Sequence, residues 1–337
     1  MDKYRLVIFG NDWDVYQVAY REMIDDPNFV YIPSFRPKGF LGQLQRLQFN
    51  PKLNSLLSIP GKSLWNPYYL HGVKEQRLCF FLQENWLKME YGIRLLPYLR
   101  EHYPQAKIVC FVQDLIATIK DHYSHRPIDI GYIKQYADLI VSYDQNDAGK
   151  YGIDYHPTIY SPIERAFSEQ AEQYDLFFLG RDKGRLPLLI NICNEARHRG
   201  LVCKFLLIEV PKARQAVCEG ITYLSKPLTY KENLRFCCQS RCIIELLQSN
   251  AVSPTFRTWE AISLNKKLLT NGAFITKSEV YDTRYISVFH DETDVDWIFI
   301  ERDNPFPDGK NPYQELIRPE SLIRFIENKL SIQIQRA

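Results

Sequence analysis

The chain has 337 residues, of which 45% are hydrophobic and 24% are charged, and its formal net charge is +2. This length predicts two domains of ordinary size, and the hydrophobic fraction is sufficient for a substantial core in each. The near-neutral charge excludes a strong overall field that would attract nucleic acid, and no apolar run approaches the roughly 18 residues of a membrane-spanning helix.

The eight cysteines are scattered along the chain, and no two of them form a CxxC pair. Several lie in apolar runs such as IVCF and LVCKFLL, so we interpret them as small buried hydrophobic residues of a reducing compartment. No group of residues has the spacing of a metal site. The N-terminal apolar run, about five residues long and followed by acidic residues, is too short for a signal peptide. The sequence therefore predicts a cytoplasmic protein.

Strand-like and helix-like segments alternate through the first half of the chain. Tyr4–Phe9 is a continuous apolar run, typical of a strand buried on both faces of a parallel sheet, and it ends in GNDWD. Residues 33–68 are rich in Pro, Gly, Asn and Ser, which predicts an irregular region with a short helix near 41–47. The remaining predicted elements are helices at 14–24, 90–101, 130–136 and 145–151 and strands at 29–32, 78–81, 107–111 and 139–141.

The alternation breaks over residues 154–172, which contain two prolines and the polar stretch SEQAEQ, and we place an interdomain linker there. It then resumes, with strands predicted at 175–179, 202–208, 242–247 and 267–270 and helices at 186–199, 231–239, 255–263 and 319–330. We therefore expect an α/β protein with two Rossmann-like domains, residues 1–160 and 161–318. Residues 319–337 form a C-terminal helix that could pack back on the first domain. Because ligands bind beyond the carboxyl ends of parallel strands, the two domains are expected to face a cleft.

The segment FFLGRDKGR at 177–185 places a glycine turn between a strand and a helix. Gly180 begins the turn, and Arg181, Lys183 and Arg185 supply three cations. The helix N-terminus adds free N–H groups and the positive end of the helix dipole, so the segment could hold a diphosphate. It matches neither GxGxxG nor a Walker A loop, and a solvated charged turn is the alternative interpretation.

A second polar segment follows the strand predicted at 242–247 and leads into another helix. Ser253 or Thr255 could cap that helix, and Arg257 lies in its first turns. Glu260 is three positions later, on the same face of the helix, where a carboxylate could accept two ribose hydroxyls. The alternative is an Arg–Glu pair on an ordinary surface helix.

These two segments, together with ADLIVSYDQNDAGKYGI at 137–153, resemble bacterial capsule and lipopolysaccharide glycosyltransferases of the GT-B type. The resemblance extends over roughly residues 107–290, and the block RTWEA…KKLLTN is its most specific part. It implies that Glu260 binds the ribose of the donor, and that the helix N-terminus with Arg257, Arg181 and Lys183 holds the diphosphate. The chain departs from the common pattern at Ser253, where many retaining members carry a second glutamate, so the stereochemistry stays open.

Two aspartates are candidates for the base that deprotonates the acceptor. Asp12 lies in a DxD string, but this string follows the first strand, so we favour a loop facing the acceptor over a metal site. Trp13 could stack on a sugar there, and a helix-capping Asp with a packing Trp is the alternative. Asp114 follows the strand predicted at 107–111 and is the second candidate.

The implied activity is transfer of a sugar from a nucleotide-sugar donor to a saccharide or lipid-linked acceptor during bacterial surface polysaccharide synthesis. No metal or other cofactor is expected, because GT-B enzymes generally stabilise the leaving diphosphate with helix dipoles and cationic side chains. Nucleic acid is not an expected partner. Peripheral contact with the inner membrane could involve basic and aromatic residues of the irregular region, namely Lys38, Lys52, Lys62, Phe35, Phe40, Trp65, Tyr68 and Tyr69.

Two other functions fit the same sequence features. A two-domain nucleotide-sugar epimerase would share the fold but needs more acid and base groups around the sugar. A non-catalytic binding module of a glycan-assembly complex would bind no donor. A Rossmann dehydrogenase is disfavoured, because the first strand ends in GNDWD rather than in a glycine-rich dinucleotide turn.

Overall fold

The computed structural model divides into two compact units, residues 1–156 with 322–337 and residues 157–321. For residues 45–46 and 90–94 only the backbone is described. The residues that the structure describes are 3–34, 39–48, 53, 56–57, 77–87, 90–119, 128–163, 171–247, 251–308 and 310–336.

The strands of both units are short and predominantly apolar, and all of their pairings are parallel. In chain order they are β1 (Lys3–Phe9), β2 (Val30–Ile32), β3 (Leu78–Gln83), β4 (Lys107–Val112), β5 (Leu139–Ser142), β6 (Asp154–Tyr155), β7 (Tyr174–Arg181), β8 (Cys203–Ile208), β9 (Ile221–Leu224), β10 (Ser240–Glu245), β11 (Lys267–Thr270), β12 (Ile286–Val288) and β13 (Gln333–Ile334).

The helices lie between these strands in the alternating pattern of doubly wound sheets. In chain order they are α1 (Asp14–Ala19), α2 (Arg21–Ile24), α3 (Gly39–Gln48), α4 (Glu84–Leu87), α5 (Glu90–His102), α6 (Ile130–Lys134), α7 (Gln145–Tyr151), α8 (Leu186–His198), α9 (Tyr230–Cys238), α10 (Phe256–Ser263), α11 (Trp297–Glu301) and α12 (Pro319–Leu330).

The sheet of the first unit has the order β13-β1-β3-β4-β5-β6, and β2 pairs with the later half of β1. After β1 the chain forms β2 on one side of this strand and then β3 on the other side. The strand order therefore reverses between β1 and β3, and their carboxyl ends form the switch point at which ligands bind in such sheets. The C-terminal segment belongs to this unit, since β13 pairs with Lys3 and Tyr4 of β1. Buried apolar side chains from β1, β3 and β4 form the core beneath this edge.

The sheet of the second unit has the order β12-β11-β10-β7-β8-β9. Counted along this unit, that is the 3-2-1-4-5-6 order of dinucleotide-binding sheets, and the switch point lies between β7 and β10. These two strands are direct neighbours, with Cys242 opposite Leu176 and Ile243 opposite Phe177. The carboxyl ends of β7 and β10 are therefore the place where a ligand of this unit is expected.

Most predicted elements are present, but the helix predicted at 14–24 is interrupted. Tyr20 separates α1 from α2 with a ψ of 10°, and its buried hydroxyl donates a hydrogen bond to the side chain of Gln113 at 2.7 Å. No bounds were predicted for strands β6, β9, β12 and β13 or for helices α4 and α11, because each has five residues or fewer and too short a periodic pattern. No helix in the described part of the chain has the length and apolar character needed to cross a bilayer.

Candidate functional site

The turn after β7 lies at the switch point of the second sheet, and one glycine and one carboxylate define its shape. A Cβ atom on Gly180 would lie 3.0 Å from the Phe178 ring, so a side chain there would crowd that ring. Asp182 accepts a hydrogen bond from the backbone N–H of Leu186 at 3.0 Å and so satisfies the N-terminus of α8. Contacts among its own residues therefore fix the shape of the turn.

Two of the three cations predicted in this turn point outwards. Arg181 has a side chain that is 60% exposed and pairs with Glu209, the residue after β8, at 3.3 Å. Lys183 is exposed and has a φ of 43°. The neighbouring Asp182 is itself paired with Arg214 at 2.7 Å. The exposed Arg181–Glu209 pair contributes little to the free energy of unfolding, but it provides Arg181 with a counter-ion from within the protein.

Arg185 differs from these residues because its guanidinium is partly buried. Its side chain is half-buried, and its Nε is buried with no hydrogen-bond partner in the described part of the chain. Burial lowers the pKa of Arg185, while the carboxylates of Glu245 and Asp182 act in the opposite direction. A buried N–H without an acceptor is costly, and an anion at this position would remove that cost.

Arg257 and Glu260 form a buried ion pair on α10. Arg257 donates hydrogen bonds to Glu260, to Oδ1 of Asn233 at 2.8 Å and to the carbonyl oxygen of Leu179 at 3.2 Å. Burial acts to lower the pKa of Arg257, but the Glu260 carboxylate outweighs it, and the pKa is raised. Arg257 thus links the helix after β10 to the end of β7 across the switch point.

Glu260 is 1% exposed, and both of its carboxylate oxygens already accept hydrogen bonds. Tyr230 donates to Oε1 at 2.8 Å, Asn233 donates to the same oxygen at 3.2 Å, and Arg257 donates to Oε2. In this arrangement Glu260 is the internal counter-ion of Arg257. For Glu260 to bind the ribose as predicted, ribose hydroxyls would have to replace Tyr230 or Asn233 as its hydrogen-bond donors. The ribose-binding role therefore stays a prediction.

The start of α10 depends on a carboxylate that the sequence interpretation missed. Glu245, at the end of β10, is 2% exposed. Its Oε1 accepts from the backbone N–H of Thr255 at 2.8 Å, from the Thr255 hydroxyl at 2.6 Å and from Thr258 at 3.1 Å. Its Oε2 accepts from Thr270 at 2.8 Å. The signal was present in the sequence, because Glu245 interrupts the apolar run IIELL.

The sequence offered Ser253 or Thr255 as the cap of α10. Thr255 is the N-cap, and its hydroxyl accepts from the backbone N–H of Arg257 at 3.3 Å. Ser253 is buried at 1% exposed. The capping predicted for Thr255 is therefore present.

The two candidate bases follow strands of the first unit. Asp12 is exposed in the loop after β1. Asp114 is half-buried after β4, and its Oδ1 accepts from the backbone N–H of Leu115 at 2.9 Å and from Thr118 at 3.3 Å. Between these strands lies β3, and the residue after it, Glu84, is a buried carboxylate that accepts from the Tyr16 hydroxyl at 3.0 Å.

Buried neutral amides also lie at the carboxyl ends of β3 and β4. Gln83, Asn85 and Gln113 are each less than a tenth exposed. Each has one buried side-chain atom without a hydrogen-bond partner in the described ranges, namely Oε1 of Gln83, Oδ1 of Asn85 and Nε2 of Gln113. Donors and acceptors of this neutral kind suit hydroxyl groups better than they suit phosphate. No cluster of three or more potential metal ligands occurs within the described residues.

Comparisons with known proteins identify the fold. No family model and no curated protein matches the sequence. The structure is similar to a trehalose-6-phosphate synthase, with 11% identity over 97% of this chain and 99% of that chain and a TM-score of 0.53. It is also similar to HepE of Anabaena in complex with UDP-glucose, with 9% identity, 97% and 99% coverage and a TM-score of 0.53. A third similar structure is an alpha-glucosyltransferase in complex with UDP-glucose and DNA containing an abasic site, with 12% identity, 98% and 99% coverage and a TM-score of 0.52. Together with its two parallel sheets, these likenesses show that the chain has the GT-B fold of two Rossmann-like domains.

Proposed function

We propose that the chain is a glycosyltransferase that takes a sugar from a nucleotide-sugar donor held at the switch point of its second sheet. The observation that carries this proposal is the half-buried Arg185 guanidinium, whose Nε has no acceptor within the described residues. It lies where a sheet with the 3-2-1-4-5-6 order is expected to bind a nucleotide. Two of the proteins similar in fold are in complex with UDP-glucose, which supports the same class of donor here.

In this proposal Arg185 contacts the diphosphate directly, and Arg257 with Glu260 positions the helix beside it. Negative charge develops on the leaving diphosphate as the glycosidic bond breaks, and a fixed cation in a partly desolvated site stabilises it. Glu245 fixes the start of α10 through Thr255, so the helix N-terminus is already oriented before the donor binds. Arg181 and Lys183, which are exposed, would contact only the outer side of the donor.

The acceptor is proposed to be a saccharide or a lipid-linked glycan of a bacterial surface polysaccharide, used on the cytoplasmic side of the inner membrane. The buried amides of Gln83, Asn85 and Gln113 suit the hydroxyl groups of such an acceptor. Asp12 and Asp114 remain the proposed bases, because each lies near the Glu84 edge and is less buried than Glu84.

A thermal-shift screen against UDP-, GDP-, CMP- and dTDP-sugars tests the proposal. A donor at about a hundredfold excess over its Kd should stabilise the protein by about 2.7 kcal/mol. Incubation with the stabilising donor alone, followed by product analysis, separates the alternatives. An epimerase would convert the sugar without an acceptor, whereas a non-catalytic binding module would be stabilised by none of these donors.

Transfer is proposed to need no metal ion. The cations and helix N-termini at the switch point would stabilise the leaving group in its place. A chelator such as EDTA should leave the transfer rate at saturating donor unchanged, and abolition of transfer that added Mg²⁺ or Mn²⁺ restores would contradict this part of the proposal.

A further inference from the structure

Three cysteines of the second unit lie together beside α8. Cys193 is a fully buried residue of α8, Cys203 begins β8, and Cys218 is half-buried in the irregular segment before β9. The Cys193 thiol donates a hydrogen bond to the carbonyl oxygen of Glu219 at 3.1 Å, and Sγ of Cys218 lies 3.7 Å from the same oxygen. Two thiols that are far apart in the sequence therefore share one backbone acceptor.

A glycine brings the backbone of the segment before β9 against these thiols. Gly220 has a φ of 96°, in the region that favours glycine. A Cβ atom there would lie 2.8 Å from Sγ of Cys193 and 3.1 Å from Cβ of Cys203. The segment that carries Cys218 can therefore approach Cys193 this closely only because position 220 has no side chain.

The acidity of Cys193 differs from that of other buried cysteines. Burial raises the pKa of the Cys110 and Cys242 thiols to about 12. The pKa of Cys193 is lowered instead, first by a hydrogen bond with Cys203 and then, against the effect of burial, by a hydrogen bond with Cys218. A thiolate is the reactive form of cysteine, so this arrangement favours reactivity rather than simple packing.

The two neighbouring thiols of the pair divide their protons unequally. The pKa of Cys218 is raised to about 11, first by burial and then by the negative charge of Cys193. Arg197, one turn after Cys193 on α8, is paired with Glu219 at 2.5 Å, and its positive charge opposes this rise. The first proton is therefore lost from Cys193, and the second stays on Cys218, the sulfur nearer to solvent.

We propose that Cys193 and Cys218 are a modification site at which a hydroperoxide forms a reversible disulfide. The Cys218 sulfur attacks one oxygen of hydrogen peroxide while the Cys193 thiolate takes its proton. The O–O bond breaks, and the hydroxide that leaves takes up the proton that Cys193 had released to solvent. The Cys193 thiol then attacks the sulfenic acid on Cys218, the S–O bond breaks, and the hydroxyl leaves with the Cys193 proton as water. Two thiols thus lose two electrons, and the peroxide is reduced to two molecules of water.

Cys203 fits less well as the partner of Cys193. It is 6% exposed, and it is held within β8, where it lies opposite Leu176 of β7. A disulfide requires the two sulfur atoms to approach to about 2 Å, and Cys218 can do so without disruption of a strand. The inference goes beyond the proposed function and does not depend on it, because none of these thiols belongs to the switch point.

Peptide mapping of the reduced full chain after treatment with hydrogen peroxide tests the proposal. Trypsin places the three cysteines in the separate peptides 186–197, 200–204 and 215–231, so each linkage has its own mass. The folded chain should yield peptide 186–197 linked to peptide 215–231, with a mass lower by two hydrogen atoms than the sum of the two peptides, and dithiothreitol should release them. Peptides that stay unlinked, or a linkage of 186–197 to 200–204, would overturn the proposal.

A matched pair of variants identifies the two sulfur atoms, and a thermal unfolding curve shows that each variant is folded. Cys203→Ala keeps both partners and should reach the same final yield of the linkage as the unaltered chain. Cys218→Ser removes the half-buried partner and should give no disulfide to Cys193. Equal yields in the two variants would overturn the assignment.

A third variant separates the proton acceptor from the attacking thiol. In Cys193→Ala, oxidation should stop at a sulfenic acid on Cys218, which dimedone labels. At pH 7 it should proceed at least about tenfold more slowly than in the unaltered chain, because the thiolate that takes the Cys218 proton is lost. An unchanged rate of Cys218 oxidation would contradict the role of Cys193 in the first step.

Discussion

Arg257 and Glu260 are ion-paired three positions apart on α10, and the two side chains are 21% and 1% exposed. A charge buried to this extent depends on its partner, because removal of one partner leaves the other uncompensated. Glu260→Gln should therefore lower the free energy of unfolding by about 3–5 kcal/mol, as measured by chemical denaturation.

A second pair with the same spacing provides the control for this prediction. Glu315 and Arg318 are also three positions apart, at 3.0 Å, but Glu315 is 76% exposed. Glu315→Gln should change the free energy of unfolding by no more than about 1 kcal/mol. Equal losses in the two variants would show that Glu260 is not the internal counter-ion described above. The double variant Glu260→Gln with Arg257→Gln should regain part of the lost stability.

Glu245 is predicted to be a structural carboxylate that positions the N-terminus of α10. Glu245→Ala leaves the buried hydroxyls of Thr258 and Thr270 and the N–H of Thr255 without their acceptor, at about 1–3 kcal/mol for each group left unsatisfied. The variant should lose at least about 3 kcal/mol of unfolding free energy. The exposed Glu209→Ala serves as its control and should stay within about 1 kcal/mol of the unaltered chain.

Gly10 is predicted to be destabilised by an added side chain, because that side chain would displace the Tyr31 ring. A Cβ atom there would lie 2.1 Å from the Tyr31 ring, and the Gly10 carbonyl oxygen accepts hydrogen bonds from Asn85 and Trp86 at 3.1 and 2.7 Å. Gly10→Ala should cost about 1–3 kcal/mol of unfolding free energy through this overlap. In a Tyr31→Ala background, Gly10→Ala should lower the free energy of unfolding by clearly less. An unchanged loss would show that the overlap with the Tyr31 ring is not its cause.

The sequence predicted the fold better than the site, for a physical reason. Apolar runs of four to six residues define buried parallel strands, and their alternation with helices is a local property of the chain. The spacing of Arg257 and Glu260 correctly placed them on one helix face. It could not indicate which face is buried, because that depends on Tyr230 and Asn233, contributed by a different helix.

The same limit applies to the charged groups of the two switch points. The three cations of GRDKGR look equivalent in the sequence, but Arg181 pairs with Glu209 and Lys183 is exposed, so of the three only Arg185 is partly buried. Glu84 and Glu245 are visible as carboxylates at the ends of apolar runs. Their roles depend on hydroxyl partners such as Tyr16 and Thr270, which lie far away in the sequence.

Donor binding to Arg185→Gln, measured by calorimetry with the nucleotide-sugar that stabilises the unaltered chain best, tests the central claim most directly. Loss of a charge-assisted hydrogen bond of about 1.5–3 kcal/mol should weaken donor binding at least about tenfold. The free protein should be as stable as before or more stable, because the variant removes a buried N–H that has no acceptor within the described residues. The exposed Arg235→Gln on α9 should leave the affinity unchanged. Unchanged donor affinity in a folded Arg185→Gln protein would contradict the account.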